Sequence, residues 1–374
     1  MGTPDLAVTD DRRKDAGRVE VGGVEMVLGT PAAALRALIG PYHGYRERGG
    51  APGRHRGLPS PYLTVIVTLD DPLEIAAHPD PAQPPGRYES LIGGLHTTPA
   101  LITHEGRQAG VQIALSPLGA RALLGLPAGS LGNTDVEASA VLGRTAGELH
   151  DRLNSAPDWE RRFAILDELL MRRAGALLRR PGRERGVPSE VARAWRLLLS
   201  TGGTAPVAGL AREVGWSPRH LRARFTAETG LSPKAAARVI RFDRTRRRLQ
   251  RLAAQNAAPP ATSAADRDAG AARRDAGAAR RDGGAARRDG GAARRDGGAA
   301  RRGAGAAGEG MSAAGRGAGA VGLADLAVEC GYYDQAHLAR EFRDLAGCPP
   351  SRWLAEELRN VQDPAAPPPS DSAA

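Results

Sequence analysis

A segment in the C-terminal half of this sequence occurs twice, and this repeat constrains the fold more than any other feature. Residues 210–216 (LAREVGW) are echoed by residues 326–332 (LAVECGY). Downstream of each copy a His-Leu pair, a Phe, a Gly and a Pro recur, with one extra residue in the turn of the second copy: His220, Leu221, Phe225, Gly230 and Pro233, then His337, Leu338, Phe342, Gly347 and Pro350. Two matched units of about 45 residues indicate one supersecondary structure used twice.

Each unit has the pattern of a helix, a tight turn and a second helix. Gly215 and Gly331 follow the first helix, where glycine can adopt the left-handed conformation that ends a helix. Ser217 and Pro218 predict an N-cap and a first helical residue, and Asp334 takes the capping role in the second unit. The sequence therefore predicts two helix-turn-helix units, the geometry that places a second helix in the major groove of DNA.

The second helix of each unit divides into an apolar face and a polar face. The polar faces supply the candidate DNA-reading residues: Arg219, Arg222, Ala223 and Thr226 in the first unit, and Gln335, Ala336, Ala339, Arg340 and Arg343 in the second. Arginine can bond bidentately to guanine and glutamine to adenine, whereas alanine and threonine can contact the thymine methyl group. The alternative is that these are ordinary solvated faces, but a duplicated motif in a basic segment favours DNA reading.

The net charge of +10 is concentrated in one part of the chain. Residues 1–186 are neutral, residues 187–252 carry +10, and residues 321–360 carry −3. A positive segment beside a neutral domain indicates a polyanionic partner, most often nucleic acid. We therefore expect the first unit to dominate phosphate binding, and the acidic second unit to contribute orientation and some base reading.

The residues around the second repeat resemble the C-terminal signature of the AraC/XylS family of transcription regulators. The resemblance lies in residues 330–342 and 347–353, and residues 215–225 and 230–233 are similar to that family's first helix-turn-helix. It implies an all-α C-terminal domain that binds double-stranded DNA sequence-specifically, with reading helices at 218–229 and 335–346. A weaker similarity near residues 55–60 and 116–120 is to the N-terminal module of actinobacterial proteins of this kind.

The N-terminal half has strand patterns at 62–69, 101–103 and 111–115, followed by helical spacing at 118–124, 146–153 and 159–178. This order predicts an α+β N-terminal domain, a small β-rich sheet or barrel backed by helices. The predicted organisation is a disordered N-terminus (1–20), a sensory or regulatory domain (21–186), the first helix-turn-helix unit with a linker helix (187–252), a disordered insert (253–320), the second unit (321–360) and a disordered tail (361–374).

The insert at 253–320 contains a tandem repeat of Gly-Gly-Ala-Ala-Arg-Arg-Asp in which alanine is the only apolar residue. Each copy has at least one glycine, which costs about 1 kcal/mol in a helix, so the composition predicts disorder rather than a coiled coil. Closing such a long loop costs only ~2.5 kcal/mol more than closing a short one, so we expect the two units to dock on each other all the same.

The sequence has no nucleophile elbow, metal-ligand cluster or Gly-rich phosphate loop near the strands, so we expect neither catalytic residues nor a metal or cofactor. His43, His55, His78, His96 and His104 are scattered in the sequence, which favours surface or structural roles. No run is apolar enough for a membrane span, and a cytoplasmic location is expected.

The partners expected of such a regulator are double-stranded DNA, RNA polymerase and a small-molecule effector of the N-terminal domain. Two alternatives remain open. One is a DNA-tethered enzyme with a catalytic N-terminal domain, and the other is a non-specific nucleic-acid-binding protein driven by the arginine-rich repeat.

Overall fold

The computed structural model of the chain describes residues 18–21, 23–179, 186–257 and 322–357. The described residues up to 253 and from 322 onwards cluster into one compact unit. Most of the predicted disordered N-terminus, nearly all of the predicted insert and the whole predicted tail lie outside the described residues. Within the stretch predicted to be disordered, however, Arg18–Val21 forms a strand.

The N-terminal half contains eleven described strands in two antiparallel sheets. In chain order they are β1 (Arg18–Val21), β2 (Val24–Gly29), β3 (Ile39–Glu47), β4 (Gly53–Gly57), β5 (Leu63–Thr68), β6 (Leu73–Ala77), β7 (Gly86–Tyr88), β8 (Ser90–Gly93), β9 (Ala100–His104), β10 (Gln108–Leu115) and β11 (Asp135–Glu137). The larger sheet has the order β1-β2-β3-β10-β5-β8-β11, and the smaller has the order β4-β9-β6-β7.

Side chains that alternate along the strands of the larger sheet separate its two faces. On β10, Val111 and Ile113 are buried in the main hydrophobic core with the helices, while Gln112 points to the opposite side. On β5, Ile66 also leaves that core and packs instead with Ile75 and other apolar residues of the smaller sheet. The two sheets therefore face each other, with the helices covering the outer face of the larger one.

The helices of the N-terminal half are α1 (Ala120–Leu123), α2 (Ala138–Leu142), α3 (Arg144–Ser155) and α4 (Trp159–Leu178). Asp158 caps α4 by accepting a hydrogen bond from the backbone N–H of Arg161 at 2.8 Å. Tyr42 of β3 stacks on Phe163 and donates a hydrogen bond to Asp167 at 2.8 Å, which attaches α4 to the sheet. The short 3₁₀ turn Ala128–Leu131 precedes β11.

The described residues of the C-terminal half form helices joined by short turns, with no strand among them. Its helices are α5 (Ser189–Ser200), α6 (Val207–Glu213), α7 (Pro218–Thr229), α8 (Pro233–Ala257), α9 (Leu323–Glu329), α10 (Gln335–Ala346) and α11 (Pro350–Glu357). The linker helix α8 runs past the predicted boundary at residue 252. The predicted fold class, an α+β N-terminal domain followed by an all-α C-terminal half, is confirmed.

Candidate nucleic-acid interface

The turn between α6 and α7 has the geometry that its sequence predicts. Gly215 has φ +69°, in the left-handed region, and the backbone N–H of Trp216 donates to the carbonyl of Ala211 at 2.9 Å. The Ser217 side chain then caps α7 by accepting a hydrogen bond from the backbone N–H of His220 at 3.2 Å. The Trp216 and His220 rings meet edge to face at 4.6 Å, which fixes the turn against the start of α7.

The turn between α9 and α10 repeats this arrangement with different residues. Gly331 has φ +81°, and the backbone N–H of Tyr332 donates to the carbonyl of Ala327 at 2.8 Å. Asp334 caps α10 through a 2.6 Å hydrogen bond from the backbone N–H of His337, whose ring meets Tyr332 edge to face. The two units are thus structurally equivalent down to the ring pair beneath the turn.

The apolar faces of α7 and α10 are buried, and most of the candidate reading residues are exposed. The exposed ones are Arg219, Arg222, Ala223, Gln335, Ala336, Arg340 and Arg343, whereas Thr226 and Ala339 are half-buried. None of the four arginine side chains forms a hydrogen bond or an ion pair with any residue of the described ranges. Their guanidinium groups are consequently available to an external acceptor.

Thr226 is half-buried because the N-terminal domain packs on the last turn of α7. A Cβ atom placed on Gly129 would lie 2.1 Å from the carbonyl oxygen of Ala227 and 2.9 Å from that of Thr226. Beside this backbone contact, Arg121 of α1 binds Glu228 of α7. The sequence could not show that the domain partly covers this reading position, because residues 121–132 are distant from α7 along the chain.

The arginines of the linker helix are largely engaged inside the protein. Arg238 and Arg241 bind Glu341, Arg248 binds Glu329, and both Arg246 and Arg247 bind Asp243. The acidic excess of the second unit therefore offsets part of the basic excess of the first. Three of these arginines, Arg238, Arg241 and Arg248, serve to hold the two units together.

A cavity of about 130 Å³ lies between the two sheets and the linker helix. Apolar walls come from residues of both sheets, and the polar lining residues are His43, His55, Arg56, Ser60, Tyr62, Thr64, His96, Gln112, Asp135, Arg246 and Arg247. Burial lowers the pKa of His96, so its ring is neutral near pH 7, and its Nδ1–H donates to the carbonyl of Thr98 at 2.6 Å. The side-chain oxygen of Gln112 is shielded from solvent and has no hydrogen-bond partner among the described residues.

The cavity brings together histidines that are scattered in the sequence. His43 and His55 are buried on strands β3 and β4, and His96 follows β8. Strand order alone makes them neighbours, so their spacing along the chain carried no signal. Within the described ranges, no cluster of three or more His, Cys, Asp or Glu side chains has the geometry to hold a metal ion.

Part of the chain matches a known family model, and several solved structures resemble it weakly. Residues 29–137 match a domain of unknown function, DUF6597, and no curated protein matches the chain. Among solved structures, ToxT from Vibrio cholerae has a TM-score of 0.40 at 8% identity, over 84% of this chain and 97% of that one. The unsaturated-fatty-acid-bound form of ToxT also scores 0.40, at 6% identity, over 84% of this chain and 94% of that one.

A further similar structure is the AraC-like transcriptional activator CuxR, with a TM-score of 0.23 at 16% identity, over 59% of this chain and 76% of that one. Such scores indicate only partial superposition. None of the described helices combines the length and apolar character that a membrane crossing needs.

Proposed function

We propose that this protein is a sequence-specific, DNA-binding transcription regulator of the AraC/XylS type, in which α7 and α10 read the major groove. The observation that carries the proposal is the pair of equivalent, capped helix-turn-helix units, each presenting arginines that have no partner within the described residues. Unpaired guanidinium groups on an exposed helix face suit guanine, whose O6 and N7 atoms accept two parallel hydrogen bonds.

The roles follow from the position of each residue on its helix. Arg219 and Arg222 lie in the first turns of α7, and Gln335 and Ala336 in the first turn of α10, the end of a recognition helix that faces the base edges. Arg340 and Arg343 lie one to two turns further along α10. The half-buried Thr226 and Ala339 have less surface to offer and contribute at most a methyl contact.

The cavity is the proposed site of a small-molecule effector. At about 130 Å³ it is smaller than the ~300 Å³ at which pockets for drug-sized ligands begin, so the ligand is small. Its lining combines apolar strand residues with three arginines, Arg56, Arg246 and Arg247, and one acidic side chain, Asp135. Each of these arginines also binds a carboxylate of the protein, Glu356 or Asp243, and would share its donors between that partner and the ligand. This chemistry suits a monoanion with a short apolar body. Because Arg246 and Arg247 belong to α8, such a ligand would contact both halves of the protein.

The experiment that tests DNA reading is the selection of bound sequences from a random double-stranded pool, followed by salt titration of the winning sequence. Two enriched elements about one helical turn apart support reading by both units. One short element restricts reading to a single unit. No enriched motif, together with a steep salt dependence, overturns the proposal in favour of non-specific binding.

A pair of variants separates specific from non-specific binding on the same DNA. Arg222→Ala is expected to lower discrimination between target and random DNA, while deletion of residues 265–305 leaves that discrimination intact. If the deletion variant loses all DNA binding and Arg222→Ala has no effect, the arginine-rich repeat is the binding element.

The effector site is tested with hexanoate as the probe and hexylamine as the control of opposite charge. Hexanoate is expected to raise the thermal unfolding midpoint of the wild type, because a ligand that binds only the folded state stabilises it. Arg247→Gln should weaken the shift, and hexylamine should produce none. Equal shifts with both compounds would contradict an anion site. RNA polymerase is the proposed partner in transcription, and the cytoplasm the proposed location.

A further inference from the structure

The second reading helix is held by the linker helix through a partly buried cluster of charges. Glu341 of α10 accepts a hydrogen bond from Nε of Arg238 at 2.8 Å and another from Nη2 of Arg241 at 3.1 Å. Arg238 also reaches Asp344 at 3.2 Å. The Glu341 side chain is 11% exposed and that of Arg241 is 15% exposed. Arg238 is 30% exposed and Asp344 is 65% exposed, so water competes least for the bond between Arg241 and Glu341.

Aromatic contacts surround this cluster and give it a defined geometry. The guanidinium of Arg241 lies over the Tyr332 ring, 5.2 Å from its centroid, and Tyr332 is part of the turn that precedes α10. Phe242 of α8 and Phe342 of α10 are fully buried with ring centroids 4.9 Å apart. Each of the two helices thus contributes charged and aromatic groups to one interface.

The chain connection between the two units does not by its length determine where they lie. Helix α8 ends at Ala257 and α9 begins at Leu323, and residues 258–321 between them lie outside the described residues. A connection of that many residues can reach up to roughly 200 Å, far more than the size of the domain. The position of α10 relative to α7 must therefore be set by non-covalent contacts. They include the contacts with α8, the ion pair between Arg56 of β4 and Glu356 of α11, and the packing of Gly331 against Thr204.

We propose that Arg238, Arg241 and Glu341 are positioning residues that set the separation between the two reading helices, and with it the spacing of the two DNA elements that the protein accepts. This inference rests on the proposed function as a two-headed DNA reader. The two arginines act through Glu341 and not as phosphate contacts, because their guanidinium groups are already bound within the protein.

The test uses full-length protein and duplexes that carry the two selected elements at the preferred spacing, with one or two base pairs added or removed, and with either element alone. Wild-type protein is expected to prefer one spacing sharply. Glu341→Gln and Arg238→Gln should each weaken binding at the preferred spacing about tenfold. Once the first unit is bound, a loosely held α10 meets the second DNA element at a lower effective concentration. Affinity for each single element should stay within about twofold, so discrimination between spacings falls.

The salt dependence of binding provides the second readout. Loss of a phosphate contact lowers the slope of log affinity against log salt by about 0.9, whereas loss of a positioning contact leaves it unchanged. Arg244→Gln is the matched control, because Arg244 is an exposed arginine on the same helix and has no ion pair to a described residue. It should leave spacing preference as in the wild type.

Arg238→Lys covers the case in which a glutamine variant fails to fold, because lysine keeps the charge but loses the two-pronged geometry. Arg238→Lys should relax the preference for one spacing less than Arg238→Gln does. A wild type that selects no paired elements would contradict the proposed function itself. The positioning role alone would be overturned by a different result. In that case the wild type prefers one spacing sharply, whereas the folded variants bind every duplex more weakly by the same factor and with a lower salt slope.

Discussion

Arg121 and Glu228 join the N-terminal domain to α7, the first proposed reading helix, through a bidentate ion pair. Nε and Nη2 of Arg121 donate to the two carboxylate oxygens of Glu228 at 2.9 and 2.8 Å, and the side chains are 17% and 6% exposed. A carboxylate in the last turn of a helix is unfavourable with respect to the helix dipole. The arginine offsets that cost, so docking of the domain stabilises the last turn of α7.

The first prediction concerns the removal of this arginine. Arg121→Ala is expected to lower the free energy of unfolding by about 3–5 kcal/mol, because it leaves a buried carboxylate without a partner. The double variant Arg121→Met, Glu228→Leu should recover most of that loss, since neither a charge nor a cavity remains. Urea denaturation measures both. If the double variant is as unstable as the single one, the ion pair is not the source of the effect.

The second prediction compares two glycine-to-alanine changes. In Gly129→Ala the new methyl group would lie 2.1 Å from the carbonyl oxygen of Ala227, and main chain on both sides must move. We expect a loss of about 1–3 kcal/mol in the free energy of unfolding. Gly147→Ala, in α3, has open space around the methyl group and should gain roughly 0.5–1 kcal/mol. The same denaturation assay measures both changes, and equal effects would contradict close packing at Gly129.

The third prediction concerns base reading by α10. Arg340→Ala is expected to cost about 1–3 kcal/mol of binding free energy at one base step, and to relax the sequence preference there only. Competition binding against duplexes substituted one position at a time provides the measurement. A uniform weakening on every duplex, with a lower salt slope, would instead assign Arg340 to a phosphate.

The fourth prediction is a loss of stability at alkaline pH. Burial raises the pKa of the Tyr332 hydroxyl to about 12 from its ordinary value of 10.0. The folded state is favoured while the Tyr332 hydroxyl is protonated in both the folded and the unfolded chain, which holds below pH 10. As the pH rises from 10 towards 12, the hydroxyl ionises in the unfolded chain first, and the free energy of unfolding falls. The slope attributable to Tyr332 is at most about 1.4 kcal/mol per pH unit.

Tyr332→Phe should remove that part of the slope when unfolding is measured by denaturant titration at several pH values. Tyr333→Phe is the matched control, because the Tyr333 ring is 89% exposed and changes its surroundings little on folding. A slope that is the same in both variants would show that another group dominates the alkaline loss.

Much of the C-terminal half could be predicted from sequence because its signals are local. Glycine at a left-handed position, a Ser or Asp cap three residues before its backbone donor, and apolar residues four apart each act within one or two helical turns. The strands at 62–69, 101–103 and 111–115 were predicted for the same reason, and they correspond to β5, β9 and β10. Strands such as β7 and β11, three residues long, are too short to produce a periodic pattern.

The sequence by itself determined the two helix-turn-helix units, the caps of their second helices and the set of side chains on the polar faces of those helices. Only the tertiary structure decided which charges remain available. It pairs Glu228 with Arg121, pairs Glu341 with Arg238 and Arg241, and gathers His43, His55 and His96 around one cavity. Those groups are separated by tens to hundreds of residues, and their meeting depends on strand order and helix docking. Hydrophobic burial drives both without leaving a short-range pattern in the chain.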